Sequence, residues 1–436
     1  MSVATLSKKT LPIILVLLVS ALAIFWDLGK TPKGMLVDEA SLGYNAYSVL
    51  KTGKDEWGEK LPLTLKSFGD YKPAGYIYFA IPYIKLFGLS ILSVRLPSAF
   101  GGLLSVLLLY LITKSLFKNG LISFICALLL ATSPWFIYMS RMAWEANLAL
   151  TLFLAGVYFL VNFNKRLLFL FLSAFFFSLS LYVYVGYKIA TPLFLIFFSY
   201  YYFYRKKLLD NKSLITYLLI FLFFLLPFIY ETVYKGAATR FSQVNIFNQA
   251  GTVMFINEQR AFCGMQNNKI LSTFCYLFWN KPTVTITDFL KRYLSSFSTD
   301  FLFFTGDQAL FINNPDHGGL YFWLLPFFVI GVIKILRDWR SQNYQLIMLW
   351  LLISPIMPSI AGKPHFVRSN MLLIPVIMIC AVGVLTIIKK KTLFKIILIF
   401  VLLLSLSYTM TDYLFVYTKK AMAWDDYYLD IYKYLQ

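Results

Sequence analysis

The segment LISFICALLLATSPWFI (Leu121–Ile137) decides the fold: it carries no charged residue and is apolar on every side. Apolar runs approaching about 20 residues are long enough to cross a bilayer. In hydrocarbon the backbone must satisfy its own polar groups, which leaves only helices or closed barrels. A barrel strand alternates apolar and polar residues, and this segment does not alternate, so it reads as a helix. Leu11–Phe25 has the same character, and so does Leu393–Leu406, interrupted only by Lys395. Over the 436 residues 59% are hydrophobic and 14% charged, whereas a soluble domain carries about 25% charged residues. The expected fold class is an all-α polytopic membrane protein, and a soluble globular domain is excluded.

Further runs place about eleven transmembrane helices, near 10–29, 92–113, 121–139, 143–161, 167–184, 188–204, 213–231, 319–336, 344–361, 367–388 and 393–414. The formal charge of +20 would suit a nucleic-acid partner, but much of it sits in short clusters between these runs, and no nucleic acid is expected. Lys and Arg mark cytoplasmic loops. Lys8/Lys9, Lys114/Lys118, Lys165/Arg166, Arg205-Lys206-Lys207, Lys334/Arg337/Arg340 and Lys389-Lys390-Lys391 all fall on one side of an eleven-span arrangement. Residues 75–90, short and containing Pro82 and Lys85, are therefore read as an interfacial helix; an added span there would put the later clusters outside. The first helix is read as retained rather than cleaved, because its apolar run continues beyond Ala21-Leu22-Ala23. The chain is expected to be one integral domain, 1–436, in the cytoplasmic (plasma) membrane with a cytoplasmic N-terminus. A first outer loop spans 30–91, a second 232–318, and an outer tail 415–436.

Cys126 and Cys380 lie in spans as inert core residues. Cys263 and Cys275 share the second outer loop, where oxidising conditions permit a disulfide, although spacing alone does not show pairing. No third and fourth ligand stands near them, so no metal is expected, and no cofactor.

The residues with chemistry gather after the first span. Asp38-Glu39 opens a short amphipathic helix expected at 38–52. Acidic residues there are stabilised by the helix dipole; equally, a carboxylate within hydrogen-bond reach could take a proton from a hydroxyl group. Lys72 would sit at the interface, at the height of a lipid phosphate, or simply snorkel there. Glu145 and Arg141 stand near the end of a span, either as an ion pair four residues apart or as functional groups. Arg368, with His365 nearby, could contact phosphate or anchor a helix end.

Asp38-Glu39-Ala40, Lys72-Pro73, Phe87-Gly88 and Arg95-Leu96-Pro97-Ser98-Ala99 together resemble the N-terminal signature of the GT-C glycosyltransferases. The likeness is to the protein O-mannosyltransferase-like branch, with the lipid A aminoarabinose transferases as relatives, and in detail it covers residues 30–150. It implies a GT-C-type fold and a bilayer enzyme that moves a sugar from a polyprenyl-phosphate donor to a protein, lipid or glycan acceptor on the outer face, with inversion. By the same resemblance Asp38 is the base, Glu39 its positioning neighbour and Glu145 a second catalytic acid, while Lys72, Arg141 and Arg368 meet the lipid phosphate or sugar. Ser41, Leu42 and Tyr71 depart from the aminoarabinose branch; Tyr71 replaces an acidic metal ligand there, and no metal is carried over. The alternative is a polytopic lipid or sugar transporter or flippase. Transporters place ionisable groups near the midplane, whereas the acids here lie at the ends of spans.

Overall fold

A computed structural model describes residues 3–67, 70–164, 166–204, 211–234, 250–265, 269–388, 392–420 and 427–435. Lys165, Arg205-Lys206-Lys207 and Lys389-Lys390-Lys391, used above for orientation, lie outside the described residues.

The apolar runs fold as helices. In chain order these are α1 (Val3–Phe25), α2 (Val37–Thr52), α3 (Gly75–Phe87), α4 (Ile91–Phe117), α5 (Gly120–Thr132), α6 (Pro134–Ser140), α7 (Glu145–Val161), α8 (Leu167–Val183), α9 (Tyr187–Tyr204) and α10 (Asn211–Tyr234). There follow α11 (Ala250–Gly264), α12 (Lys269–Phe278), α13 (Lys281–Ser295), α14 (Leu325–Arg337), α15 (Gln342–Ile353), α16 (Ile356–Ala361), α17 (Asn370–Ile388), α18 (Thr392–Asp412) and α19 (Tyr427–Leu435). The sheet consists of one hairpin, β1 (Thr64–Ser67) antiparallel to β2 (Asp70–Pro73), in which Leu65 pairs with Lys72.

Among the described residues four helical stretches are long and apolar enough to cross a membrane: Ile91–Phe117, Gln342–Ala361, Asn370–Ile388 and Thr392–Tyr417. The deciding segment, expected as one helix over 121–139, is instead α5 and α6, bent by 62°. The break falls at Ser133, whose side chain accepts from the Phe136 amide as the N-cap of α6, with Pro134 in the first turn. Five shorter apolar helices accompany them, among them Glu145–Val161 and Leu167–Val183. The run expected at 319–336 begins as a short 3-10 turn at Phe322 and continues as α14.

Burial separates the centre of the bundle from its lipid-facing rim. In Asn370–Ile388 83% of the apolar window is buried, against 11% in Thr392–Tyr417. Helix α17 packs on α14 and α5, and α4 on α5 and α7. The α14–α17 contact is close because Gly331 lies against the Ile379 carbonyl and Gly383 against the Phe327 carbonyl, with no room for a Cβ at either. Small residues admit this close backbone approach, which supports helix association inside a membrane.

The helix expected at 38–52 is α2, and the short apolar segment at 75–90 is α3. Helix α3 buries Tyr76, Ile77, Ala80 and Ile84 and packs between α2 and α4. The β-hairpin docks on α2 through a hydrogen bond between the Ser41 and Ser67 hydroxyls, 2.7 Å apart.

Candidate active site

Asp38 stands in the first turn of α2, where its charge suits the helix dipole. Lys72, on β2, extends to it and forms an ion pair with its carboxylate. The partners differ in exposure: the Lys72 side chain is 10% exposed and that of Asp38 is 45%. The cation is therefore drawn into the protein while the carboxylate still meets water.

The next residue does the opposite. Glu39 and Arg95 form a fully buried pair, the two side chains 2% and 0% exposed. Arg95 donates through Nε to Glu39 Oε1 at 2.9 Å and through an Nη to Oε2 at 3.0 Å. Its remaining donors go to the carbonyls of Leu28, Pro32 and Gly34. A guanidinium has five N–H groups in a fixed fork, and all five are used. Glu39 also accepts from the backbone amides of Leu36 and Ala143. A carboxylate engaged this completely by a buried cation has neither water nor a free lone pair for proton transfer. This arrangement suits the positioning role that the resemblance gives Glu39. Glu39 ties α2 to α4 and to the turn before α7, and so sets where Asp38 projects.

Arg141 is held by backbone carbonyls. It is fully buried and donates to the carbonyls of Ala23, Ile24 and Thr31 at 2.9–3.1 Å. Its guanidinium lies 5.1 Å from the Tyr413 ring centroid. Those contacts pin the end of α1.

Glu145 is buried in the first turn of α7, two residues after the amide that Glu39 holds. Tyr76 stands within electrostatic reach of both acids. Burial, followed by the charge of Glu39, pushes its phenol well above the ordinary range, and Glu145 adds to the rise. The phenol donates to the Val94 carbonyl at 2.9 Å. Asn147 and Asn370 tie the start of α7 to its neighbours, through the Ser98 and Ala146 carbonyls respectively.

The chain's C-terminal segment reaches the same site. Tyr432, on α19, donates to the Ala40 carbonyl at 2.8 Å, and Tyr47 on α2 donates to the Leu435 carbonyl at 2.8 Å. The contact requires Gly43, where a Cβ would enter the Tyr432 hydroxyl and lie 2.6 Å from Val94. Burial, with Glu39 nearby, raises the Tyr432 phenol above its ordinary range.

Arg368 belongs to a separate group, with its guanidinium near the Gly362 turn. Close by, His365 Nδ1 lies 3.6 Å from Asp307 Oδ2, which also accepts from the Phe366 amide at 2.6 Å. Burial lowers the His365 imidazole below its ordinary range, against the opposing charge of Asp307. Cys263 and Cys275 are joined as a disulfide between α11 and α12.

Arg95, quoted above only as part of a motif, and Tyr432 are the site residues to which the sequence assigned no role. A lone arginine within the apolar stretch ILSVRLPSAF was itself a signal, since an ionisable group at such depth needs a partner. Tyr432 lies 392 residues from Ala40 and offered none.

Residues 71–230 match the family model described as dolichyl-phosphate-mannose-protein mannosyltransferase. No curated protein matches the sequence significantly. Among solved structures, ArnT from Cupriavidus metallidurans bound to undecaprenyl phosphate aligns with a TM-score of 0.51 and 13% identity, over 88% of this chain and 60% of that one. The oligosaccharyltransferase AglB from Archaeoglobus fulgidus, in complex with an inhibitory peptide and a dolichol-phosphate, aligns with a TM-score of 0.57 and 13% identity, over 96% of this chain and 56% of that one. At this identity the likeness is one of fold, and the chain spans less than two thirds of either structure. It is an integral membrane protein with the fold that these two structures share.

Proposed function

We propose that this protein is a membrane glycosyltransferase that takes a sugar from a polyprenyl-phosphate donor and delivers it to a hydroxyl of a protein, lipid or glycan on the outer face of the membrane. The observation that carries the reading is the Asp38–Lys72 pair, a water-facing carboxylate beside a sequestered ammonium. The fold shared with proteins seen bound to undecaprenyl phosphate and dolichol-phosphate supports it.

A polyprenyl phosphate is held in the bilayer by its tail, so its sugar–phosphate bond lies just above the hydrocarbon. Asp38 takes the proton of the acceptor hydroxyl as that oxygen bonds to the anomeric carbon. The bond from that carbon to the phosphate oxygen breaks, and polyprenyl phosphate leaves with the electron pair. Lys72 stabilises the departing phosphate, since a preorganised cation is worth most where charge develops. As the donor phosphate binds Lys72 it competes with Asp38 and frees the carboxylate to act as base. Glu145, buried in the first turn of α7, is the proposed second acid. Arg368, in its separate cluster, would serve a more distant part of the donor. Attack from the face opposite the phosphate inverts the anomeric centre.

The test is purified protein in proteoliposomes with radiolabelled polyprenyl-phosphate sugars and a membrane extract as acceptor source. The reading expects label to leave at least one donor, with loss of that transfer in Asp38→Asn. Donors untouched by the unaltered protein, or unimpaired transfer by Asp38→Asn, would overturn it. Retention of the donor's anomeric configuration in the product would reject inversion.

A further inference from the structure

Helix α13 is built inside out. Its apolar residues Ile286, Phe289, Leu290, Tyr293 and Leu294 recur at i, i+3, i+4, i+7 and i+8, the spacing that gives a helix one apolar stripe. In a soluble domain such a stripe faces the core. Here Ile286, Leu290 and Leu294 are 59%, 49% and 65% exposed. The opposite arc carries Asp288, Arg292 and Ser295, with Lys291 at its edge, and it borders two cavities of about 720 and 470 Å³. The cavities share Asp288 and Lys291, so they meet along the helix.

The position of α13 says what covers the stripe. The Tyr293 hydroxyl donates to the Leu352 carbonyl at 2.7 Å. Leu352 lies in the membrane-crossing stretch Gln342–Ala361, and its side chain is itself exposed, toward lipid. Helix α13 also packs on α16, at the end of that stretch. The exposed stripe thus stands beside the exposed side of a membrane-crossing stretch. Helix α12, tied by the disulfide to α11, shows the same exposure at Ile270, Phe274 and Leu277.

We infer that α13 is seated in the adjoining leaflet, with Ile286, Leu290 and Leu294 in the boundary between headgroups and acyl chains. An amphipathic helix binds an interface by burying its apolar face there while its charged face stays in water. Lys291 and Arg292 carry long apolar stems that let their charges reach the headgroups or the cavities. The membrane supplies the surface that a protein core would otherwise supply, and it holds the cavities open at the bilayer surface. The inference does not depend on sugar transfer.

The test uses the full chain with its disulfide intact, in nanodiscs of phosphatidylcholine and phosphatidylglycerol. Nitroxide labels are placed singly by Leu290→Cys, Leu294→Cys and Ser295→Cys, and their accessibilities to oxygen and to a water-soluble nickel chelate are compared. Labels at 290 and 294 should favour oxygen over nickel several-fold relative to the label at 295. Equal nickel access at all three sites would place the helix in water and overturn the inference. Protection of 290 and 294 from both reagents would also overturn it, by showing that protein, such as a second copy of the chain, covers the stripe.

Discussion

The Lys72 ammonium is ion-paired with the Asp38 carboxylate across 34 residues of sequence, joining the hairpin to the first turn of α2. The pair places the proposed base and the proposed phosphate ligand in direct contact, and it separates their roles experimentally. Asp38→Asn should lower turnover by at least about a hundredfold, the range of general-base contributions, with little effect on donor affinity. Lys72→Met should weaken donor binding as well as turnover. Steady-state kinetics with varied donor concentration check both, and identical effects of the two substitutions on kcat and KM would refute the division.

The buried Glu39–Arg95 pair should be needed for folding rather than for chemistry. Breaking a buried pair from one side leaves an uncompensated charge, at about 3–5 kcal/mol. Arg95→Met should therefore reduce the yield of folded protein and lower its thermal midpoint in detergent. Adding Glu39→Gln to Arg95→Met should recover part of that loss. If Glu39→Gln alone abolishes turnover while leaving the melting temperature unchanged, Glu39 has a chemical role after all.

Arg141 offers a sharper contrast, because phosphate binding and structural anchoring predict different losses. Its bonds run to three backbone carbonyls, and hydrogen bonds from charged groups contribute about 1.5–3 kcal/mol. Arg141→Met should lower stability, measured by thermal aggregation, while whatever folds retains its donor KM. A rise in KM without a change in stability would support the phosphate role.

The α19 contact predicts a positioning effect. Gly43→Ala should displace Tyr432 and lower kcat with KM nearly unchanged. Tyr432→Phe removes one buried hydrogen bond, a loss of about 1 kcal/mol, and should have a milder effect in the same direction. Activity assays alongside thermal melts check this, and full turnover in Gly43→Ala would show that α19 is only packed there.

The disulfide closes a short loop between α11 and α12, with a sequence separation of 12. Such a loop is worth about 3 kcal/mol in the chain-entropy view. Cys263→Ser should speed proteolytic cleavage within 250–280 and leave the rest of the chain protected. Equal cleavage rates with and without the bond would remove its bracing role.

The residue pattern by itself determined that this chain is a bundle of membrane helices, because hydrocarbon forbids any other fate for runs such as Leu121–Ile137 and Asn370–Ile388. It also drew attention to Asp38, Lys72 and Glu145 as acids and bases at the ends of those runs. What it could not decide was which of two adjacent carboxylates meets water. Asp38 and Glu39 are chemically near twins, and their difference comes from the rotation of about 100° between adjacent helical residues: Asp38 faces the hairpin and solvent, while Glu39 faces Arg95 on α4. Likewise Arg141 read as a charge waiting for a ligand until three carbonyls from α1 and the loop after it were found around its guanidinium. Contacts such as Tyr432 with Ala40 join residues hundreds of positions apart. No local pattern encodes them, because they exist only once packing has brought those surfaces together.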